Sequence, residues 1–271
     1  MFAGVGLAGC GIMGGPMLGA LLRAGIEARG FDIRPASDFG PLAPHICNDV
    51  AGFSKGLKTL LTVVRDIAQT EALLFEDQAL STAPQLETII ICSTISPRYT
   101  RDLRARIPAR IALIDAPMSG AQIAAIEGRL SFMLGGDAGD LARCQPLFSA
   151  MGAHFHRMGG FGAGMQAKVL NNLLAASHTA MTRLVLDWGH EAGLDPRALL
   201  DMIETSSGQN WLASGFEQIE FAKLGHTPDN TIAIIVKDVA SALDAAPEGA
   251  DTALPEAVQA AIRALKPYDK G

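Results

Sequence analysis

Cysteine is scarce in this 271-residue chain, and the four present, Cys10, Cys47, Cys92 and Cys144, stand far apart. Neither a C-x-x-C pair nor a Cys/His cluster occurs, which excludes the ligand spacings of a zinc site and leaves buried thiols in a reducing compartment as the expectation. The six histidines show no ligand spacing either, so no metal is expected. Aromatics make up only 6% of residues, too few to suggest a base-stacking surface. Basic residues are in deficit, 22 Lys and Arg against 28 Asp and Glu, for a formal net charge of −6. That balance argues against nucleic acid or an anionic membrane as the main partner. Outside the N-terminus, no run of about 20 apolar residues goes uninterrupted. The first 22 residues carry no charge, but they lack a basic leading segment and hold seven glycines and Pro16. Neither a signal peptide nor a membrane span fits them, and a cytoplasmic protein is expected. No G-x-S-x-G nucleophile motif is present.

Apolar residues and glycine fill the chain instead: 49% hydrophobic, 18% charged, 29 glycines. Such a chain can bury a sizeable core and is not disordered. At roughly 150 residues per domain, its length suits one large domain or two modest ones. Short apolar runs at 2–7, 28–32, 60–64, 88–92, 111–114 and 130–134 have strand length. They alternate with helical spacing at 12–24, 66–75 and 97–106, predicting an α/β domain with a doubly wound parallel sheet and helices on both faces. The glycine cluster Gly159-Gly160-Phe161-Gly162-Ala163-Gly164 ends this pattern. Beyond it, 165–191, 196–204, 209–224, 229–246 and 255–265 read as helices, with no strand after about 158. The expected organisation is therefore 1–160 as a sheet domain and 161–271 as an all-helical domain. The segment 165–191 is long and apolar on several sides, which suits a helix between domains or subunits. His154 and His156 alternate on one face of a strand-like run and read as surface or interface residues. His178, inside the apolar helix, reads as a satisfied core histidine.

Gly9-Cys10-Gly11-Ile12-Met13-Gly14 fits G-x-G-x-x-G, with a strand before it, a helix after it, and a second strand ending in Asp32. One glycine permits the tight turn, one lets backbone approach a pyrophosphate, and one lets helix pack on strand. The helix start would hold the phosphates through its N–H groups and dipole. Asp32 suits the hydroxyls of an adenosine ribose and favours NAD. Arg34 nearby could accept a 2′-phosphate and keeps NADP open.

Three further segments belong with this turn: Asp115-Ala116-Pro117-Met118-Ser119-Gly120, Gly164-Met165-Gln166-Ala167-Lys168-Val169-Leu170-Asn171-Asn172, and Lys237-Asp238. Lys168 and Asn172, at i and i+4, share a helix face. Lys168 is either a solvated lysine on an exposed side or a lysine in a cleft; in a cleft it would lose hydration and suit general acid–base work. Ser119 and Gly120 form either an ordinary turn or a loop offering a hydroxyl and N–H groups to a carboxylate. The four segments together, in this order, resemble the β-hydroxyacid dehydrogenase family, typified by 3-hydroxyisobutyrate dehydrogenase and related to 6-phosphogluconate dehydrogenase. The resemblance runs from residue 3 to about 246.

It implies a Rossmann-type domain followed by a helical one, and an NAD(P)-dependent oxidoreductase acting on a small carboxylate. Lys168 and Asn172 would be catalytic, while Ser119 and Gly120 would bind the acid group, with Lys237 near substrate and nicotinamide. Gly9, Gly11, Ile12, Met13, Gly14, Asp32, Arg34, Val64, Arg65, Gln69 and Thr94 would line the cofactor. Val64, Arg65, Gln69, Ser93 and Thr94 follow strand-like runs, where such sheets bind ligands. Ser93-Thr94 could alternatively cap the helix at 97–106, although Ser96-Pro97 can do so alone. The chain departs from relatives at Ala121, which replaces a glycine, and at Arg65, where proline is common. It also lacks an aromatic ahead of Lys237, leaving Ile232 and Ile234, and runs shorter after Pro255. Relatives form dimers or tetramers, which implies a homo-oligomer. The rival readings are an NADPH-dependent glyoxylate or succinic semialdehyde-type reductase and a non-catalytic dinucleotide sensor. The 6-phosphogluconate enzyme itself has a far larger helical domain.

Overall fold

The computed structural model describes residues 3–270, and the chain divides after Lys168 into two compact units. Phe2, at the start of the first expected strand, lies outside the described residues. The first unit runs β1 (Val5–Ala8), α1 (Gly14–Arg23), β2 (Ala28–Phe31), β3 (Ile46–Cys47), α2 (Val50–Ser54), β4 (Thr59–Thr62) and α3 (Ile67–Leu74). It continues through β5 (Thr88–Ile91), α4 (Pro97–Arg106), β6 (Ala112–Asp115), β7 (Met118–Ser119), α5 (Gln122–Ile126), β8 (Leu130–Gly135), α6 (Ala138–Met151) and β9 (Gly152–Gly159). A long helix, α7 (Ala163–Glu191), follows. The second unit adds α8 (Pro196–Glu204), α9 (Trp211–Ser214), α10 (Thr231–Asp244) and α11 (Ala253–Arg263).

Strands β3-β2-β1-β4-β5-β6 lie side by side and all parallel. The chain steps outward from β1 to β2 and β3, then returns to β4 on the other side of β1. That reversal is where ligands bind in open α/β sheets, at the carboxyl ends of the strands. Strands β1, β4 and β5 are buried along their whole length, which is why they read as continuous apolar runs. Their side chains still alternate between two cores. Ile90 packs with Met17, Leu18, Leu147 and Phe148 on one face, while Ile89 and Ile91 pack with Phe53, Leu73 and Leu103 on the other.

The doubly wound parallel sheet expected from the sequence is present, and beyond β6 it is extended by antiparallel pairing. β6 and β7 pair antiparallel with β8 in one register, Asp115 opposite Gly135 and Ser119 opposite Ser131, interrupted only at Ala116-Pro117. The five-residue α5 is too short for the crossover a parallel pair requires. β9 then pairs parallel with β8. His154 and His156 are both exposed on it. Helix starts follow their caps: Asp49, Asp66, Ser96 and Asp137 each accept first-turn N–H groups.

In the second unit, α8 begins where Asp195 and Pro196 place it. The helix expected over 209–224 does not form as one piece. Asn210 caps α9, which stops at Gly215. Past it, Arg183 of α7 donates to the carbonyls of Ala222 and Leu224, 2.8 and 2.9 Å away, taking them out of any helical ladder. Leu212, Phe216 and Ala222 still pack against Leu186 and Tyr268, so the apolar spacing reports a core, not a helix. α10 and α11 pack through Ile232, Val236, Val239, Val258 and Ile262 against Ala176. Among the described residues, no helix is long and apolar enough to cross a membrane, and no cluster of three or more His, Cys, Asp or Glu could hold a metal.

Candidate cofactor and substrate site

The turn after β1 uses its three glycines differently. Gly9 has φ +90°, and its N–H donates to Phe31 O at 2.9 Å. A Cβ there would lie 2.7 Å from the Val63 carbonyl oxygen, and one at Gly14 only 1.9 Å from the Gly9 oxygen. Both are demanded by packing of backbone on backbone. At Gly11 a Cβ would meet nothing within 4 Å. This glycine fronts open space, which is what close approach of a pyrophosphate requires. α1 begins with no side-chain cap and no acid in its first turn, leaving the positive end of the helix unopposed by a side chain. Ile12, at 72% exposure, stands on the same turn.

Asp32 ends β2 with its carboxylate only 10% exposed. Oδ2 accepts from the Cys10 N–H at 2.9 Å, and Oδ1 accepts from the Arg34 backbone N–H at 3.0 Å and Nε at 3.1 Å. The Arg34 guanidinium also stacks on Phe39, 4.6 Å from the ring centre, and hydrogen bonding to Asp32 raises its pKa further. Asn48 donates to the Asp32 carbonyl at 2.7 Å and holds the segment from below. Burial, with the nearby Asp32 charge, pushes the Cys10 thiol up to about 12, so it stays protonated and inert. An open glycine, an uncapped helix start and a carboxylate at the strand end together fit a dinucleotide.

Val64 follows β4, and its backbone N lies 3.1 Å from where a Gly9 Cβ would be, so the structure brings these two positions together. Arg65 is exposed; its N–H donates to Gln69 Oε1 at 3.0 Å, while the Gln69 N–H donates to Asp66 at 2.9 Å. Gln69 thereby closes the start of α3. Thr94 is half-buried just past β5. Ser96 caps α4, accepting from Arg98 and Tyr99 at 3.1 and 3.2 Å.

Gly120, with φ +129°, turns the chain after β7, and a Cβ there would lie 2.8 Å from that of Ala124. Ala121 sits at φ −69°, ψ 174°, so its methyl costs no backbone strain. Lys168 is 7% exposed, which settles the choice between a solvated and a buried lysine. In the second unit, Asn172 Nδ2 donates to Asp238 Oδ2 at 2.6 Å, and the Lys237 ammonium lies 3.0 Å from Asp238 Oδ1. Oδ1 nonetheless accepts no aligned hydrogen bond, so this attraction is ionic. Asp238, buried at 6% exposure, links two of the expected site residues. The sequence offered one signal for it, a charged pair on an otherwise apolar helix. His178 differs from expectation: it is half-buried, and its Nδ1 has no hydrogen-bond partner.

Residues 4–160 match the family model for the NAD binding domain of 6-phosphogluconate dehydrogenase, and 162–270 match the one for NAD-binding of NADP-dependent 3-hydroxyisobutyrate dehydrogenase. The chain belongs to the β-hydroxyacid dehydrogenase family. Its cofactor is accordingly NAD or NADP, and the enzyme is an oxidoreductase of CH–OH donors. An L-threonate dehydrogenase from Cupriavidus necator is 32% identical across 91% of this chain and 84% of its own length. A 3-hydroxyisobutyrate dehydrogenase from Pseudomonas aeruginosa is 34% identical across 75% of this chain and 70% of its own. Among solved structures, the Mycobacterium tuberculosis 3-hydroxyisobutyrate dehydrogenase with L-serine superposes with a TM-score of 0.79 at 25% identity, covering 98% of this chain and 97% of that one. Within this β-hydroxyacid dehydrogenase, Asp115 and Asp238 are the two buried carboxylates to which the sequence assigned no role.

Proposed function

We propose that this β-hydroxyacid dehydrogenase interconverts a small acid bearing a hydroxyl β to its carboxylate with the matching semialdehyde or keto acid, using Lys168 as general acid and base. The observation that carries the reading is the burial of Lys168, since a lysine is almost never fully buried without a specific role or partner. The nicotinamide, when bound, accepts or donates the hydride. Lys168 Nζ takes the hydroxyl proton on oxidation and returns it on reduction. Asn172, four residues on along α7, orients the lysine or the substrate, and its tie to Asp238 limits its rotation. Ser119 and Gly120 hold the substrate carboxylate, joined by the Lys237 ammonium. The glycine turn, Asp32, Val64, Gln69 and Thr94 seat the cofactor, with Arg65 at the rim. Residues 1–160 serve as the dinucleotide-binding domain and 161–271 as the substrate and oligomerisation domain. The protein works in the cytoplasm as a homodimer or homotetramer.

The Asp32 carboxylate favours NAD. Arg34 supports a second reading, an NADPH-dependent semialdehyde or glyoxylate reductase, because its half-exposed guanidinium could leave Asp32 for a 2′-phosphate. The test is nicotinamide absorbance over a panel of small β-hydroxy acids and their semialdehydes, with each cofactor, in wild type and Lys168→Ala. The expected result is turnover preferring NAD, with kcat lowered roughly 10²–10⁴-fold in the variant. A variant retaining most of the rate would overturn the role of Lys168, and an NADP preference would establish the second reading.

A further inference from the structure

Asp115 closes β6 with no exposed surface, and its two carboxylate oxygens are shared between two backbone groups at the start of α7. Oδ1 accepts the Gly162 N–H at 2.7 Å, and Oδ2 accepts the Met165 N–H at 2.5 Å. A capping box satisfies the N–H of its capping residue and of its third residue with two side chains of its own. α7 cannot do this. Gly162, the residue before the helix, has φ +92°, and a Cβ there would strike Arg101 Cγ at 2.5 Å. One carboxylate from a strand far back in the sequence therefore does both jobs.

The surrounding glycines are fitted to it. A Cβ on Gly135 would lie 2.2 Å from Asp115 Oδ1, and one on Gly164 would lie 2.3 Å from the Met133 carbonyl oxygen. Both side chains are missing where the carboxylate and the helix end press on β8. The Met165 side chain, also fully buried, packs in the sheet core and fixes the same turn from the other side. Burial holds the Asp115 pKa above the usual carboxylate range, and the two backbone donors offset only part of that rise. The negative charge also sits at the positive end of a 29-residue helix.

Two pieces of the proposed chemistry leave this joint. Lys168 is three residues past Met165, and Ser119-Gly120 lie four and five residues past Asp115. We propose that Asp115 is a positioning residue for the reaction: it fixes the start of α7, and through it Lys168, in register with the loop carrying Ser119 and Gly120. This rests on the assignment of Lys168 as the acid–base group. Displacements of an ångström in such a group can cost about a hundredfold in rate.

The test is a double-mutant cycle on the full-length enzyme with a β-hydroxy acid that wild type turns over. Asp115→Asn keeps the shape but offers one acceptor and turns an NH₂ toward the other N–H. Its kcat should fall about 10–100-fold, while the dissociation constant for the cofactor, titrated by fluorescence, stays within about twofold. In a Lys168→Ala background, Asp115→Asn should cost little further, because residues acting through one another are non-additive. Additive losses, or an unchanged kcat in Asp115→Asn while Lys168→Ala is inactive, would sink the positioning role and leave the acid–base assignment standing. Wild-type kcat in Lys168→Ala would sink both. If Asp115→Asn does not accumulate folded, Asp115→Glu retains the charge and both acceptors and should lower kcat with cofactor binding intact. Failure of both variants to fold would assign the carboxylate to the fold alone.

Discussion

At the scale of single residues, two glycines in one motif carry opposite predictions. Gly11→Ala meets no protein atom, so the free enzyme should melt as wild type does. Its methyl would instead occupy the space a pyrophosphate needs, weakening cofactor binding about tenfold or more. Gly14→Ala drives a methyl against the Gly9 carbonyl oxygen and should destabilise the unliganded protein by about 1–3 kcal/mol, or prevent folding. Thermal melts without ligand and cofactor titrations of both variants separate the two; equal cofactor affinity in Gly11→Ala and wild type would remove the pyrophosphate from this turn. The spacing of the glycines was legible in the sequence because each demand is local. That Asp32 also anchors the turn through the Cys10 N–H was not, because the bond joins residues 22 apart. Asp115 and Asp238 escaped for the same reason. Their partners are a backbone end 47 residues later and a side chain 66 residues earlier, and no periodicity records such pairings.

At the scale of elements, α3 and α4 are tied by a network that makes part of the stability depend on pH. Arg106 donates two hydrogen bonds to Glu71, at 2.6 and 2.7 Å, and lies 4.0 Å from the Phe75 ring centre; the Tyr99 hydroxyl donates to Glu71 at 2.7 Å. The Arg106 hydrogen bonds hold the Glu71 carboxyl below the usual range, against the opposing effect of burial, with Tyr99 adding to the lowering. A carboxyl depressed on folding contributes stability above its unfolded pKa and loses it as pH falls through the folded value. Glu71→Gln should therefore be less stable at neutral pH by about 1 kcal/mol, a modest figure because Arg106 is 40% exposed. The gap should shrink below about pH 4. Denaturant unfolding at both pH values checks this, and a gap independent of pH would contradict it. The ends of α4 and α8 were legible because a cap and a proline mark their starts. The stretch 209–224 was not, because Arg183 captures its carbonyls from another element and the apolar spacing alone could not show that. The two-residue β7 is set by pairing with β8, too short for any pattern of its own.

At the scale of the whole molecule, α7 carries an unpartnered face, on the segment whose apolarity on several sides suited a helix between domains or subunits. Leu170, Leu174, Met181, Leu184 and Trp188 are 40–64% exposed. With Ser177 their spacing alternates four and three, the 3.5-residue repeat of a helix seam that meets another helix. Scattered exposed apolar residues mean little, but a stripe of this length suits an interface, and we propose that it is one. A second copy of the chain suits it, because two-fold pairing lays the same self-complementary stripe against itself. The family resemblance pointed to an oligomer; the seam supplies a physical reason and a place to break it. Leu174→Glu with Trp188→Glu puts two carboxylates into the seam at positions that are 62% and 64% exposed in the single chain. The protomer fold should survive, since substitutions at exposed positions change stability little. Light scattering on the eluting protein should show the mass falling to that of one chain, with far-ultraviolet circular dichroism unchanged. A variant that keeps the wild-type mass would move the interface elsewhere, and a wild type already at the mass of one chain would show that α7 keeps this face for something other than itself.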